Sequence, residues 1–534
     1  MVVYAGGMTI MTTAPALVTP APQPARSAPC PTPPVESLAV LAARLAGTLD
    51  TSVTRFLNAN DQNLGHLEVQ ALHDVQALLR ETLRRAAQAK ADATPPRCPV
   101  CGQPLTRGSA GHARTFQTRF GEITLQRTRG YCKRCGQWHT PADTALGLDD
   151  TAGYSPGVQA LVALAASKLP IADASLVLEH LSGVPVPPAT LAREAQRQGQ
   201  RAQALRTQLD QPAATAKPPP EPVLQPYQMI IQLDAWSLRE RDAWGQTDSL
   251  RRRGEDPARW HWVYTGTVFR LDHRGQTAGG RPVITQRGYV LTRQGLDALR
   301  EQMHGEAQRR GLGQAASVLV LGDGAVWIWH LADDRWPQAK QRLDFYHAVQ
   351  HLAAVGRALF GEDQEQFKAW IKPLVRQLKN ESAVQVIRQL DEALAGLPAG
   401  PDAETVAKEL AYLQTHEDRM DYRAGRRAGE PIGSGAVEAT CRQAQCRFKR
   451  PGQFWTQAGD EALLCLETFW RNDRWARLFP HTAFDPARNC IASPALSTGG
   501  GERLPCRSPL PPVDNAVGRA TLVTALIRMQ ENAR

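Results

Sequence analysis

Four cysteines do more than any other residues to limit how this chain can fold. Cys98-Pro-Val-Cys101 and Cys132-Lys-Arg-Cys135 form two Cys-x-x-Cys knuckles with 30 residues between them. Two such knuckles supply four thiolates for one tetrahedral Zn²⁺, a closed structural site with no open position for substrate. The gap exceeds the roughly 15 to 20 residues of the common pattern. A hairpin absorbs the excess, because Arg114 to Phe120 and Ile123 to Tyr131 alternate around a Gly121-Glu122 turn. The spacing predicts a zinc ribbon over 94–148, with a redox or incidental thiol pairing as the alternative. Residues 97 to 135 hold eight Lys/Arg against one acid, Glu122, and four thiolates on one Zn²⁺ would reduce that surplus of seven by two. A small basic ribbon of this kind suits contact with a nucleic acid or a protein better than catalysis.

The rest of the chain is long enough for several cores. At 534 residues three or more domains are expected, and ten cysteines that include two Cys-x-x-Cys pairs point to a reducing compartment. No apolar run reaches the ~18 to 20 residues of a membrane span. The N-terminus lacks the basic start and apolar core of a secretory signal, so a cytoplasmic, nucleoid-associated protein without a membrane partner is expected. A net charge of +10 and a pI near 9.2 suggest an anionic polymer as partner. Residues 1–36 are rich in Ala, Pro and Thr and read as disordered. Apolar spacing predicts a helical lead-in over 37–93. Residues 150–210 read as three helices, Pro156 to Lys168, Ile171 to Leu181 and Pro188 onward, resembling a helix-turn-helix. Its third helix would present Thr190, Arg193 and Arg197 on one face, toward a DNA groove; a purely structural helical hairpin is the alternative. A proline-rich linker over 211–226 follows, and beyond 475 the chain loses periodicity, apart from a short helix expected over 514–534.

After the linker comes an α/β region over 227–475. Tyr227 to Asp234 reads as a strand ending in an acid, Trp262 to Leu271 and Gly288 to Thr292 as two more, and Leu296 to about Arg310 as a helix. Ser317 to Asp323 is another buried strand ending in an acid, and Leu343-Asp344 closes a short fifth. Three strands, helix, strand, helix, strand is the layout of a ribonuclease-H-like mixed sheet. An all-helical segment over about 352–421 precedes Pro431-Ile-Gly-Ser-Gly-Ala-Val-Glu438. Ser434 is a suitable N-cap, and the helix after it places Glu438, Arg442, Gln445 and Lys449 on one face. An acid in a first turn also suits the helix dipole, and a basic helix is often a solvated face. Three hard oxygen ligands, Asp234, Asp323 and Glu438, can hold two Mg²⁺ or Mn²⁺ about 3.5 to 4 Å apart. Residues 419 to 450 hold eight Lys/Arg, Arg442, Arg447, Lys449 and Arg450 among them, against three acids. They are candidate DNA contacts. Phe448, Phe454, Trp455 and Trp236 are either base-stacking or core residues. His347 and His351, four apart on a helix, are either metal ligands or packing residues.

Gly322-Asp323-Gly-Ala-Val-Trp-Ile-Trp, Asp344-Phe-Tyr-His347 and the Pro431–Glu438 motif together resemble the bacterial insertion-sequence transposases of the DDE class, in a branch akin to the Mutator-like elements. The zinc ribbon and Thr190-x-x-Arg193 fit the same resemblance, which spans about residues 95 to 475. It implies metal binding by Asp234, Asp323 and Glu438, an active-site place for His347 within Asp344-x-x-His347, and a helical insertion before the glutamate. It also implies cleavage at element ends and transfer of 3′-hydroxyls into target DNA. The partners would be terminal inverted repeats and target DNA, with a homo-oligomer assembled on them. A DNA-binding regulator or domesticated derivative, or a nuclease on the same sheet, is the competing expectation.

Overall fold

A computed structural model describes residues 38–59, 63–148, 153–210, 226–241, 247–254, 259–276 and 282–482. The expected disordered start, most of the proline-rich linker and the helix expected over 514–534 lie outside these residues. The chain divides into two compact units, Met1–Phe116 with Phe120–Gly153, and Gln117–Arg119 with Tyr154–Arg534.

In the first unit α1 (Leu38–Asn58) packs on α2 (Leu64–Asp92). The Asn63 side chain caps α2 by accepting from the His66 N–H. β1 (Thr106–Thr118), β2 (Gly121–Cys132) and β3 (Gln137–His139) form one sheet in that order. The turn falls at Arg119-Phe120 rather than the expected Gly121-Glu122; Gly121, at φ 109°, opens β2 in a conformation that favours glycine. The Gln88 amide of α2 both donates to and accepts from the Gln126 backbone of β2, each at 2.9 Å. Phe116, Ile123, Leu125 and Leu148 make a small core. After the sheet, α3 (Pro141–Leu146) carries the buried Asp143, which accepts from Arg127 at 2.6 Å and Arg114 at 3.4 Å. Two of the ribbon's cations are therefore neutralised within the fold.

In the second unit the three helices expected before the linker are present: α4 (Pro156–Lys168), α5 (Ile171–Ser182) and α6 (Pro188–Asp210). Their buried Val162, Leu178 and Leu191 join one cluster with Trp236, Val263, Val437 and Leu464. These helices share a core with the sheet that follows.

That sheet is built from β4 (Gln228–Glu240), β5 (Arg259–Arg270), β8 (Gly288–Thr292), β9 (Ser317–Gly322) and β10 (Lys340–Leu343). A short helix α7 (Thr247–Arg252) and a two-stranded ribbon of β6 (Arg274–Gln276) and β7 (Pro282–Ile284) interrupt the sequence; α8 (Leu296–Arg309) and α9 (Val326–Arg335) flank β9. The strand order is β10-β9-β4-β5-β8. β4/β5 and β5/β8 are antiparallel, whereas β4/β9 and β9/β10 are parallel, giving a mixed sheet. β4 is longer than expected. Its pairing with β9 stops at Gln232↔Leu321, but its pairing with β5 continues to Glu240↔Arg259, because Trp236 and Leu238 keep burying one face. Asp234 thus sits mid-strand, just where β4 has lost its parallel neighbour.

One sheet face, carrying Ile231 and Leu233, buries against α8, α9 and α10 (Phe345–Phe360). The helical segment continues that core with α11 (Gln364–Asn380), α12 (Ala383–Ala395) and α13 (Pro401–Thr415), through Ile371, Leu390 and Leu410. After α14 (Tyr422–Arg427), the chain crosses to the other face as α15 (Gly435–Phe448) and α16 (Gln457–Arg471), then ends its described part in α17 (Trp475–Leu478). Leu478 and Phe479, expected to lie in a structureless tail, are fully buried in the core of that face.

Candidate active site

Asp234 projects from β4, Asp323 follows the last residue of β9, and Glu438 lies in the first turn of α15. All three are partly exposed. Burial raises the Asp234 carboxyl above its usual range. Hydrogen bonds from the Cys441 thiol and the Ala235 N–H oppose that rise, and the charges of Asp323 and Glu438 add to it. Asp323 and Glu438 are therefore close enough to Asp234 for their charges to act on its carboxyl. Among the described residues no cation pairs with Asp234 or Asp323; each accepts from a backbone N–H, Ala235 at 2.7 Å and Ala325 at 3.1 Å. The one cation paired with Glu438 among the described residues is the exposed Arg442, at 3.5 Å. One turn beyond Glu438, burial and the charge of Asp234 hold the Cys441 thiol well above its ordinary range, so it stays a protonated donor.

Two side chains dock α15 on the sheet. The buried Gln232, two residues before Asp234, donates to the Gly433 carbonyl at 3.3 Å and accepts from the Val437 N–H at 3.1 Å. Asp344, also buried, accepts from the His347 N–H at 2.8 Å with one oxygen and from the Ser434 N–H with the other. Its own N–H donates to the Gly322 carbonyl at 2.8 Å, tying the end of β9 to the Glu438 loop. Asp344-x-x-His347 is thus an N-cap for α10, a contact worth ~0.5 to 2 kcal/mol, shared with the loop that delivers Glu438. A side chain at Gly433 would put its Cβ 2.9 Å from the Tyr346 ring and force that ring to shift, so the close approach favours glycine. Ser434 does not cap α15 as expected; its hydroxyl lies 3.3 Å from Glu438 Oε1.

His347 and His351 meet edge to face at 4.8 Å between ring centroids. His351 stacks on Tyr412 at 3.7 Å and pairs through Nδ1 with Glu409, a packing and hydrogen-bonding role. Burial lowers the His351 pKa, with Glu409 opposing. The Tyr412 hydroxyl donates at 2.7 Å to the Asp323 carbonyl, so α13 holds the backbone of the second acid.

The expected DNA contacts separate into two groups. Arg193 is exposed and donates to Thr190 at 3.2 Å, Arg197 is paired with Glu194 at 2.6 Å, and Arg442, Lys449 and Arg450 are exposed. Arg447 is not a surface contact. It is 6% exposed, donates twice to the Ala166 carbonyl (2.7 and 3.2 Å), and burial lowers its pKa to about 10. Lys449 follows the end of α15 rather than continuing its face. Trp236, Phe448 and Trp455 are core residues; the Trp236 and Trp455 N–H groups donate to Thr265 and to the Phe448 carbonyl. Sequence reading missed Gln232, Cys441 and Tyr412, whose roles depend on partners far along the chain.

In the first unit the Cys98, Cys101, Cys132 and Cys135 sulfurs all lie within 4.8 Å of one another, the one such group of possible metal ligands among the described residues. Cys98–Cys135 and Cys101–Cys132 are 3.7 and 3.5 Å apart. Zn–S bonds of about 2.3 Å place tetrahedral sulfurs about 3.8 Å apart, so the cluster fits a zinc-sized ion. The three carboxylates are not closed to that spacing.

No family model matches the chain. Over 366 residues it is 26% identical to the "UPF0236 protein in vanSb 3'region" of Streptococcus gallolyticus, an alignment covering 66% of this chain and 71% of that protein. This is a distant likeness whose name carries no activity. No helix of the described residues is long and apolar enough to cross a membrane.

Proposed function

We propose that the chain is a DDE transposase with a ribonuclease-H-like catalytic region, in which Asp234, Asp323 and Glu438 hold divalent metal for DNA cleavage and strand transfer. One observation carries this reading: Asp323 and Glu438, from two other parts of the chain, bring their charges to bear on Asp234, with no cation paired to Asp234 or Asp323 among the described residues. A site that concentrates negative charge in this way favours a hard cation, and the donors are the carboxylate oxygens that Mg²⁺ and Mn²⁺ prefer. When bound, such ions activate an attacking oxygen and stabilise a leaving one in an in-line phosphodiester displacement. The strand order β10-β9-β4-β5-β8 and the helical segment before Glu438 support the same reading. Gln232 and Asp344 hold Glu438 toward β4, Tyr412 holds the Asp323 backbone, and the Cys441 thiol donates to Asp234. The exposed Arg442 beside Glu438 would receive a phosphate. The four cysteines would carry one structural Zn²⁺.

In an Mg²⁺ assay with DNA carrying the element's ends, Asp234→Asn, Asp323→Asn and Glu438→Gln should each abolish cleavage and joining, while duplex affinity stays within about threefold. Undiminished activity in any one of them would overturn the assignment. Cleavage without joined products would make the protein a nuclease.

A further inference from the structure

Aromatic residues at the outer end of the β4–β5 pair are not absorbed by the core. Trp260 and Trp262 are 54% and 58% exposed, whereas most other tryptophans of this unit are largely buried. They are two residues apart on β5 and so share a face, about 6.6 Å apart along the strand. Directly opposite residues of an antiparallel pair also share a face, so Arg239, paired with Trp260, stands beside it. Its guanidinium lies 5.4 Å from the Trp260 ring centroid and 5.2 Å from that of Phe454. Lys449, just past the end of the Glu438 helix, approaches Trp260 from another side at 5.0 Å. The chain around Trp455 pairs with the edge of β4, its N–H donating to the Arg239 carbonyl at 3.1 Å and its carbonyl accepting from the Arg241 N–H at 2.8 Å. This pairing brings Phe454 and Lys449 alongside the tryptophans. Inward along β5 the same face continues to Tyr264, which meets Trp327 of α9 edge to face at 5.4 Å, four residues after Asp323.

Resting on the reading of the chain as a DNA-processing enzyme, we propose that Trp260 and Trp262 form a stacking platform for unpaired bases of single-stranded DNA, rimmed by Arg239 and Lys449. Indole faces take any base, and neighbouring cations take the backbone phosphates. The points at which the two rings leave the strand are about twice the 3.4 Å rise of stacked DNA apart, which suits bases unstacked from one another rather than an intact duplex. The occupant is anionic because Lys449 brings a cation to the Trp260 ring, where a backbone phosphate would meet it. Asp234 points to the other face of the sheet, toward Cys441. The platform therefore holds the unpaired flank of a strand, not the phosphate being cut.

The test is fluorescence anisotropy on the full chain without divalent metal, using labelled oligo-dT of about 15 nucleotides and a duplex of the same length. A Trp260→Ala/Trp262→Ala variant should bind oligo-dT about 10- to 100-fold more weakly and duplex within about threefold. A Trp260→Phe/Trp262→Phe variant should recover most of that loss, which a merely misfolded surface would not allow. Unchanged oligo-dT affinity in the alanine variant, or equal loss on both DNAs, would overturn the platform. So would unchanged DNA binding with lost self-association of the chain, which would make the patch a protein contact. Because metal is absent and the acids are intact, failure of the cleavage reading leaves this result independently readable.

Discussion

Arg442 and Arg447 stand five residues apart on α15, one in solvent and the other in the core. The Arg447 guanidinium ends on the Ala166 carbonyl, against Phe448 and Trp455. Arg447→Ala would leave that carbonyl unpaired in the interior, so unfolding in urea should show a loss of about 1 to 3 kcal/mol. Arg442→Ala should change stability by less than about 0.5 kcal/mol but weaken duplex binding, with the log–log salt slope falling by about one. An Arg447→Ala variant as stable as the parent would contradict its placement. The distinction was legible in part. Arg447 falls at helical spacing from Thr440 and Ala444, which are buried, while Arg442 follows Glu438 on the open side. The run of cations concealed that signal, since composition alone made every one of them a DNA contact. Gln232 and Tyr412 offered no such clue, because their partners lie about 200 and 90 residues away in sequence.

At the scale of elements, α16 joins the sheet through a buried pair of acids. Asp460, in its first turn, is fully buried with both oxygens lacking a hydrogen-bond partner, while Glu240 at the end of β4 takes Arg293. Burial, then the charge of Glu240, pushes Asp460 up from 3.8 to about 9. The unfolded chain therefore gives up this proton first, and stability falls as pH rises from about 4 to about 9. Asp460→Asn should flatten that slope and be the more stable protein at pH 8, by on the order of 1 to 3 kcal/mol. Urea unfolding across this range checks it, and an unchanged slope would assign the cost to another group. An acid in a helix's first turn was readable from sequence as a dipole partner. Its burial was not, because β4 was expected to end at Asp234, six residues before Glu240. The strands themselves were legible in kind and order, since apolar runs of five to eight residues have few alternatives. What sequence could not supply was that β4 outlasts its parallel neighbour, which is why Asp234 sits mid-strand.

For the whole molecule, the four-cysteine spacing and the order of the acids carried most of what could be read, and both are features of sequence rather than of distant packing. The ribbon should bring one zinc per chain. Metal analysis of protein purified without chelator should find it, Cys132→Ser should lose it, and hydrogen exchange over 97–139 should rise in that variant; no metal in the parent would remove the ribbon. The sharing of one core by α4–α6 and the sheet was not legible, because three amphipathic helices before a linker look the same whether or not they stand alone. The central claim concerns the acids, and Mn²⁺ binding measures it most directly. In a titration followed by electron paramagnetic resonance, with a DNA duplex present and the cysteine site already loaded with zinc, the parent chain should bind two Mn²⁺ with a spin-coupled signal, and Asp323→Asn should lose that signal. Mn²⁺ binding of equal strength and number in the parent and in the Asp234→Asn/Asp323→Asn/Glu438→Gln variant would contradict the account.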